Sequence, residues 1–322
     1  LNRGDRWEKG SCLIMEEKNR IFALLAIFLA VFFWGLSYSV TKLLLDHLLP
    51  EEIAFFRFTL AALFLLLLAL IRKPLKVEKG DHIRLAAGGA VGIPLYFIFE
   101  NNGINLTTAS MASMIIATIP VFNALAGSLF FKESNSWRRW AGVFLSFLGV
   151  YFIVSFGLKL PGSGADTIRG NLLMLMAAFT WVAFTRINAP LLKKYDSPTV
   201  NLYQINAGAV LLAFIALPGG INIQAFSPMV VFSLLYLGLF CSAAAFFLYM
   251  FALKSLGSTP VTTFINLIPV FGVMGGVFLL GETLLPGQVL GGAVVILGVT
   301  LVTLPQEAVI EQLDAKVQKI KK

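Results

Sequence analysis

Residues 108–131 read TASMASMIIATIPVFNALAGSLFF, and residues 259–280 read TPVTTFINLIPVFGVMGGVFLL. Neither stretch carries a charge, and each is long enough to cross a bilayer core of roughly 30 Å, which takes about 20 helical residues. Both bear the same internal mark. Pro120-Val121-Phe122 returns 149 residues later as Pro269-Val270-Phe271, and Glu133, Gly142 and Gly149 return at the same offset as Glu282, Gly291 and Gly298. Trp34 and Trp181 are related by 147 residues, as are Phe56-Arg57 and Tyr203-Gln204. The chain is built from two copies of one pattern.

The rest of the chain agrees with membrane blocks. Of 322 residues, 58% are hydrophobic and 13% charged, with a mean hydropathy of +0.84; an ordinary soluble domain carries about 25% charge. A soluble core of this size needs more polar surface to cover it, which excludes a disordered chain and argues against a soluble enzyme. Spans are predicted at 21–45, 51–71, 83–104, 108–131, 137–156, 168–191, 198–217, 228–253, 259–280 and 286–304. The first has a basic flank, but its apolar run continues through Lys42 to Leu45 without a small-x-small cleavage site, so it reads as a span rather than a signal peptide. Met15, ahead of Glu16-Glu17-Lys18-Asn19-Arg20, reads as a natural start, and residues 1–14 are assigned no function.

Basic residues set the orientation. With the N-terminus in the cytoplasm, the inner segments hold 20 of the 25 Lys and Arg residues, including Lys316, Lys319, Lys321 and Lys322 of the tail. The outer links hold two, Lys159 and Arg169, and Lys42, Arg57 and Arg186 lie within spans. This positive-inside bias places both termini in the cytoplasm and requires an even number of spans. Five spans per copy is odd, so the second copy enters upside down. Inverted repeats are a structural signature of secondary transporters, with a substrate site near the midplane. The expected fold class is an all-α polytopic membrane protein with ten transmembrane helices in two inverted five-helix repeats. The segments are a cytoplasmic N-terminal segment (1–20), the first repeat (21–156) and an external linker (157–167) around Pro161-Gly162-Ser163-Gly164. The second repeat (168–304) and a cytoplasmic basic tail (305–322) follow.

With these features the sequence resembles an EamA-type member of the drug/metabolite transporter superfamily over residues 20–304. The resemblance is carried by Phe33-Trp34-Gly35-Leu36-Ser37 with Lys42, Phe56-Arg57-Phe58, Thr107-Thr108-Ala109-Ser110, Ile119-Pro120-Val121, Glu133 and Gly142. The second copy supplies Gly257-Ser258-Thr259-Pro260, Ile268-Pro269-Val270, Gly281-Glu282 and Gly291. It implies a central cavity between inverted halves, and movement of small metabolites, often amino acids, across a prokaryotic plasma membrane. Glu100-Asn101-Asn102 is more polar than many members carry there, which argues against a purely apolar or neutral cargo.

In a bilayer the informative residue is the polar one within a span. Trp34, Ser37, Tyr38 and Thr41 share one face of the first span, and Trp181, Thr185 and Asn188 one face of the sixth, at spacings of three, four and seven. Trp34 and Trp181 lie near mid-depth, whereas tryptophan prefers the interface. They are read either as walls of one central cavity or as interhelical packing with each N–H on a neighbouring backbone. Thr259, Thr262, Thr263 and Asn266 share a face of the ninth span. Asn101, Asn123, Tyr203, Gln204, Asn206 and Tyr249 are further lining candidates or interhelical hydrogen-bonding groups. Arg57 and Glu100 sit at similar depth, either as a structural ion pair or snorkelling groups, or as a gate or a proton or cargo contact; Glu100 is the only acidic residue deep enough for a proton site. Arg186 is rotated about 140° from Trp181, at 100° per residue, and is expected to snorkel or pair, as is Lys42. Pro120 and Pro269 are hinge or kink candidates. Gly88/Gly92, Gly272/Gly276 and Gly287/Gly291 are spaced for close helix contact.

Other chemistries have no footing in the sequence. There is no ATP-binding loop and no H-E-x-x-H or C-x-x-C. Cys12 and Cys241 make no disulfide framework or metal site, and His47 and His82 flank spans without obvious partners. No cofactor, metal, catalytic residue or nucleic-acid partner is expected, only a small-molecule substrate and the lipid bilayer. A membrane-embedded enzyme or an assembly scaffold is the alternative reading.

Overall fold

The computed structural model describes residues 3–71, 75–131, 136–159, 164–256, 261 and 264–303; over these the chain is helical with short links and no strand. The expectations that rest on Glu133, Thr259, Thr262, Thr263, the Pro161–Ser163 stretch and the basic tail lie outside the described residues. Helices α1 (Arg3–Leu44) and α2 (Pro50–Ile71) are continuous. Helix α3 is Asp81–Ala90, a π-helical turn Val91–Leu95 and then Tyr96–Leu106. Helix α4 is broken into Ala109–Ile116 and Ile119–Phe131. Helices α5 (Trp137–Gly157), α6 (Ala165–Lys194) and α7 (Ser197–Ala216) follow. Helix α8 is Pro228–Leu235, a π-helical stretch Tyr236–Ala244 and Ala245–Leu256. Helices α9 (Ile268–Leu280) and α10 (Pro286–Thr303) follow.

Helices α1 to α8 are long and apolar enough to cross a membrane, and α9 and α10 are shorter apolar helices. Their starts are written locally. Thr108 accepts the Met111 N–H at 3.1 Å to open α4, and Asp196 accepts the Thr199 N–H at 3.3 Å to open α7, with Pro198 in the first turn. These side chains satisfy amides that a helix leaves unpaired. Gly281, at φ +65°, ends α9 in the left-handed conformation that glycine adopts without strain.

The duplication seen in sequence recurs in the packing. α3 lies on α6 as α1 lies on α8, and α2 on α8 as α3 on α7; α2 meets α7, α4 meets α9, and α5 meets α10. Exchanging the first five helices for the last five leaves this set unchanged. The irregularities match too. The π-helical stretches of α3 and α8 overlap at the repeat offset. The break in α4 runs Thr118 N–H to Ile115 O at 3.0 Å, Val121 N–H to Thr118 O at 2.9 Å and Phe122 N–H to Thr118 O at 3.2 Å. That at α9 runs Leu267 to Phe264 at 2.9 Å, Val270 to Leu267 at 3.0 Å and Phe271 to Leu267 at 3.2 Å. Pro120 and Pro269 therefore sit just past matched breaks; lacking an N–H, each fits a first turn where no donor is needed.

Glycine lets α5 and α10 cross closely. A methyl on Gly142 would stand 2.5 Å from the Gly298 carbonyl oxygen, and one on Gly149 would stand 2.7 Å from that of Gly291. The other paired glycines also face helices of the bundle: Gly88 meets Gln204, Gly92 meets Phe184, Gly272 meets Ser113 and Gly287 meets Phe156. Large apolar side chains such as Leu70, Phe214, Phe232 and Phe278 point outward. That is a costly surface in water and a favourable one against lipid.

Candidate functional site

Between the two halves lies a cavity of about 50 Å³, room for a few water molecules, each needing on the order of 10–15 Å³. Trp34, Ser37 and Tyr38 reach it from α1, Arg57 from α2, and Tyr96, Phe97 and Glu100 from α3, just beyond the π-helical turn. Trp181 comes from α6 and Phe246 from α8. Ile116, Ala117 and Ile119 enter at the break in α4, and Ile265 and Ile268 at the matching break before α9. Both breaks thus open onto the same space.

One wall is aromatic. Trp34 and Trp181 meet edge to face with centroids 6.2 Å apart. Phe246 lies 5.5 Å from the first and 6.1 Å from the second, and Tyr96 lies 5.1 Å from Trp181. The Trp34 Nε1–H also donates to the Cys241 carbonyl at 2.9 Å, within the π-helical stretch of α8. Both readings of Trp34, cavity wall and interhelical packing, hold together.

The other wall is charged. Arg57 is 2% exposed and Glu100 5% exposed. Arg57 donates Nε–H to Ser242 Oγ at 2.6 Å, and its guanidinium carbon lies 4.5 Å from the Phe97 ring centroid. Glu100 Oε1 accepts the Tyr96 hydroxyl at 2.8 Å, and Tyr38 lines the same chamber. Among the described residues no ion pair within 4.0 Å joins Arg57 to Glu100. They face one chamber, each held by other groups, without a direct ion pair between them.

Trp34, Tyr38, Arg57, Glu100 and Trp181 of the sequence candidates line the cavity. The others are placed elsewhere. Thr41 is buried outside the lining. Asn101 donates to the Pro50 carbonyl at 2.8 Å, tying α3 to the start of α2. Asn123 accepts from Arg186 Nε at 3.2 Å, which links α6 to α4 and pairs the arginine. Thr185 is exposed on the outer face and donates to the Trp181 carbonyl at 2.8 Å. Asn188 accepts from Gln204 at 2.7 Å, tying α6 to α7. Tyr249 stands behind Trp34, 5.3 Å between centroids. Asn266 is buried in the break before α9 with neither side-chain polar atom bonded. Sequence reasoning missed Tyr96, Phe97, Ser242 and Phe246. Tyr96 was findable, since it precedes Glu100 by one turn on the same face.

Polar clasps close both ends of the bundle. At one end Lys42 donates to the carbonyls of Ile104, Asn105 and Thr107 at 2.8, 2.9 and 2.7 Å, capping α3. Beside it Glu282 accepts the Ala109 and Ser110 N–H groups at 2.7 and 3.0 Å, capping α4. Each charge suits the helix end it meets. At the other end Asp81 accepts from Lys194 and from the Tyr195 hydroxyl, both at 2.7 Å, and Glu78 also pairs with Lys194. Glu282 at the one end and Lys194 with Tyr195 at the other join second-half residues to a first-half link, whereas the Lys42 contacts stay within the first half. His82 packs edge to face on Tyr203 at 5.6 Å.

Known proteins share this plan. Residues 21–155 and 168–304 each match the EamA-like transporter family. A protein of Archaeoglobus fulgidus named as an uncharacterized transporter is 34% identical over 284 residues, covering 88% of this chain and 97% of its own. A probable terminal-alkyne amino-acid exporter of Streptantibioticus cattleyicolor is 29% identical, covering 87% and 93%. A probable amino-acid metabolite efflux pump of Salmonella typhimurium is 26% identical, covering 88% and 93%. One solved crystal structure superposes with a TM-score of 0.63 at 16% identity, covering 87% of this chain and 94% of that one, a likeness of fold. A multi-pass helical protein written in two copies, with a family match in each copy and relatives matched over nearly their whole length, belongs to the EamA-like transporter family.

Proposed function

We propose that this protein is a secondary transporter that exports a small metabolite, such as an amino acid, by alternating access through the central cavity. Ten spans form two inverted five-helix halves in a prokaryotic plasma membrane, with both termini cytoplasmic. Trp34 and Trp181 wall the substrate chamber, Arg57 and Glu100 supply its charges, and Pro120 and Pro269 mark the points where α4 and α9 bend around it. The observation that carries the reading is the pair of matched helix breaks opening onto one charged cavity between the halves. A duplicated bundle can rock about such a site, exposing it to one side and then the other. The contacts of Glu282 with the start of α4 and of Asp81 with Lys194 are those that part in turn. The names of the two amino-acid exporting relatives support the cargo class.

Purified protein in liposomes loaded with unlabelled amino acids should accelerate entry of the labelled solute, saturably and by counterflow. Absence of counterflow across amino acids, nucleosides and sugar phosphates, with folded protein, would favour a membrane enzyme or scaffold instead.

A further inference from the structure

The charges of the cavity are arranged as two separate holders. Burying an arginine and a glutamate away from water costs several kcal/mol each, and a direct pair recovers part of that cost. Here the pair is held open. Ser242 and Phe97 engage Arg57, and Tyr96 engages Glu100. Among the described residues Arg57 hydrogen-bonds through Nε alone, which leaves the two terminal nitrogens of its fork for the chamber that it lines. That fork matches a carboxylate in bidentate fashion. Glu100 and the faces of Tyr96 and Trp181 match an ammonium group, which a carboxylate and aromatic rings both attract. The other titratable groups near the pair, Tyr38 on α1, Tyr96 on α3, and Tyr236 and Cys241 on α8, carry no charge in their ordinary forms.

We infer that the chamber recognises both charged ends of a zwitterionic L-amino acid, its carboxylate at Arg57 and its ammonium at Glu100, and moves it as a net-neutral load. The inference rests on the carrier reading above and specifies what that carrier selects. With Arg57 and Glu100 both ionised the chamber sums to zero, and a zwitterion leaves the sum at zero, so in that state no proton need accompany the cargo. The same arithmetic makes the two residues specificity determinants in opposite senses. Removing the Glu100 charge leaves a net positive chamber suited to a carboxylic acid without an amine. Removing the Arg57 charge leaves a net negative chamber suited to an amine without a carboxylate.

The test is counterflow in liposomes, with the standard L-amino acids and, for each one carried, its decarboxylated amine and its deaminated acid as competitors. The wild type should prefer the amino acid over either analogue by about 30-fold or more, the least expected when one side of a buried charged contact is removed. Glu100→Gln should shift preference toward the acid and Arg57→Gln toward the amine. A potassium diffusion potential should drive no accumulation of the amino acid. If the carrier exchanges solutes but accepts an analogue as well as the parent, or concentrates the amino acid on the imposed voltage, the inference is overturned. It is overturned equally if no standard amino acid competes while other solutes exchange. If no solute exchanges at all, the carrier reading itself falls. The analogue comparison uses the wild-type protein, so a poorly folding variant leaves the test intact.

Discussion

A single methyl group at the crossing of α5 and α10 probes the packing that joins the halves. Gly149→Ala would place Cβ 2.7 Å from the Gly291 carbonyl oxygen and 2.7 Å from the Val295 amide nitrogen, where ordinary contact begins at 3.4 Å. Both obstacles are backbone, so no rotamer change relieves them, and the helices must part by about 0.7 Å. Overpacking of this kind costs about 1–3 kcal/mol. Gly291→Ala meets the mirror-image obstacle, 2.7 Å from the Gly149 carbonyl oxygen. Because one separation of the helices accommodates both methyls, the double variant should lose less than the sum of the single losses, as neighbouring sites do. Thermal unfolding of purified protein in detergent measures this. Each single variant should melt several degrees below wild type. Gly80→Ala and Gly219→Ala, which meet nothing within 4 Å, should stay within about 0.5 kcal/mol of wild type. If Gly149→Ala melts with those controls, or if the double variant shows strictly additive losses, the close symmetric crossing is wrong.

Other perturbations reach the site and its clasps. Trp34→Ala and Trp181→Ala should each cut transport about tenfold or more, equivalent to 1.4 kcal/mol of binding, and beyond any fall in expression; unchanged transport in both variants removes them as cavity walls. Glu282→Gln weakens the two charge-assisted bonds to the start of α4 and should cost about 1.5–3 kcal/mol, read as a lower melting temperature; no change would show that the cap bears no stability. Asp81→Ala removes the acceptor of the Tyr195 hydroxyl and should lower the melting temperature. That loss should persist at high salt, because buried contacts are poorly screened; a loss that vanishes in salt would assign it to exposed Lys194 alone.

The sequence made the duplication legible because repeated proline and glycine positions survive as offsets, and those residues govern where helices break and where they touch. Pro120 and Pro269 located the breaks, while Gly142, Gly149, Gly291 and Gly298 marked the repeat and the structure shows that they also make the crossing. The π-helical stretches were not read, although Pro94 lies within the first, because no periodicity marks a local widening. The helix faces were only partly informative. Trp181, Thr185 and Asn188 share a face by spacing, yet Trp181 meets the cavity, Asn188 meets α7 and Thr185 is exposed. Crossing helices change neighbours within two turns, and in lipid the outer surface is as apolar as the inner one, so polarity alone does not say which way a face points. Ser242 carried no signal because one hydroxyl in an apolar span is common. Glu282 was noted as a repeated residue, but its capping of α4 depends on a contact 172 residues away.

The central claim is that the two copies face opposite ways across the lipid, and labelling of matched links tests it most directly. Gly80 precedes α3, and Gln224 lies in the corresponding link before α8; both are exposed. With Cys12 replaced by serine and Cys241 buried, Gly80→Cys and Gln224→Cys are treated in intact cells with a membrane-impermeant maleimide. Position 224 should label from outside, and position 80 only after the membrane is opened. Labelling of both from the same side would contradict the inverted arrangement and the transport cycle built on it.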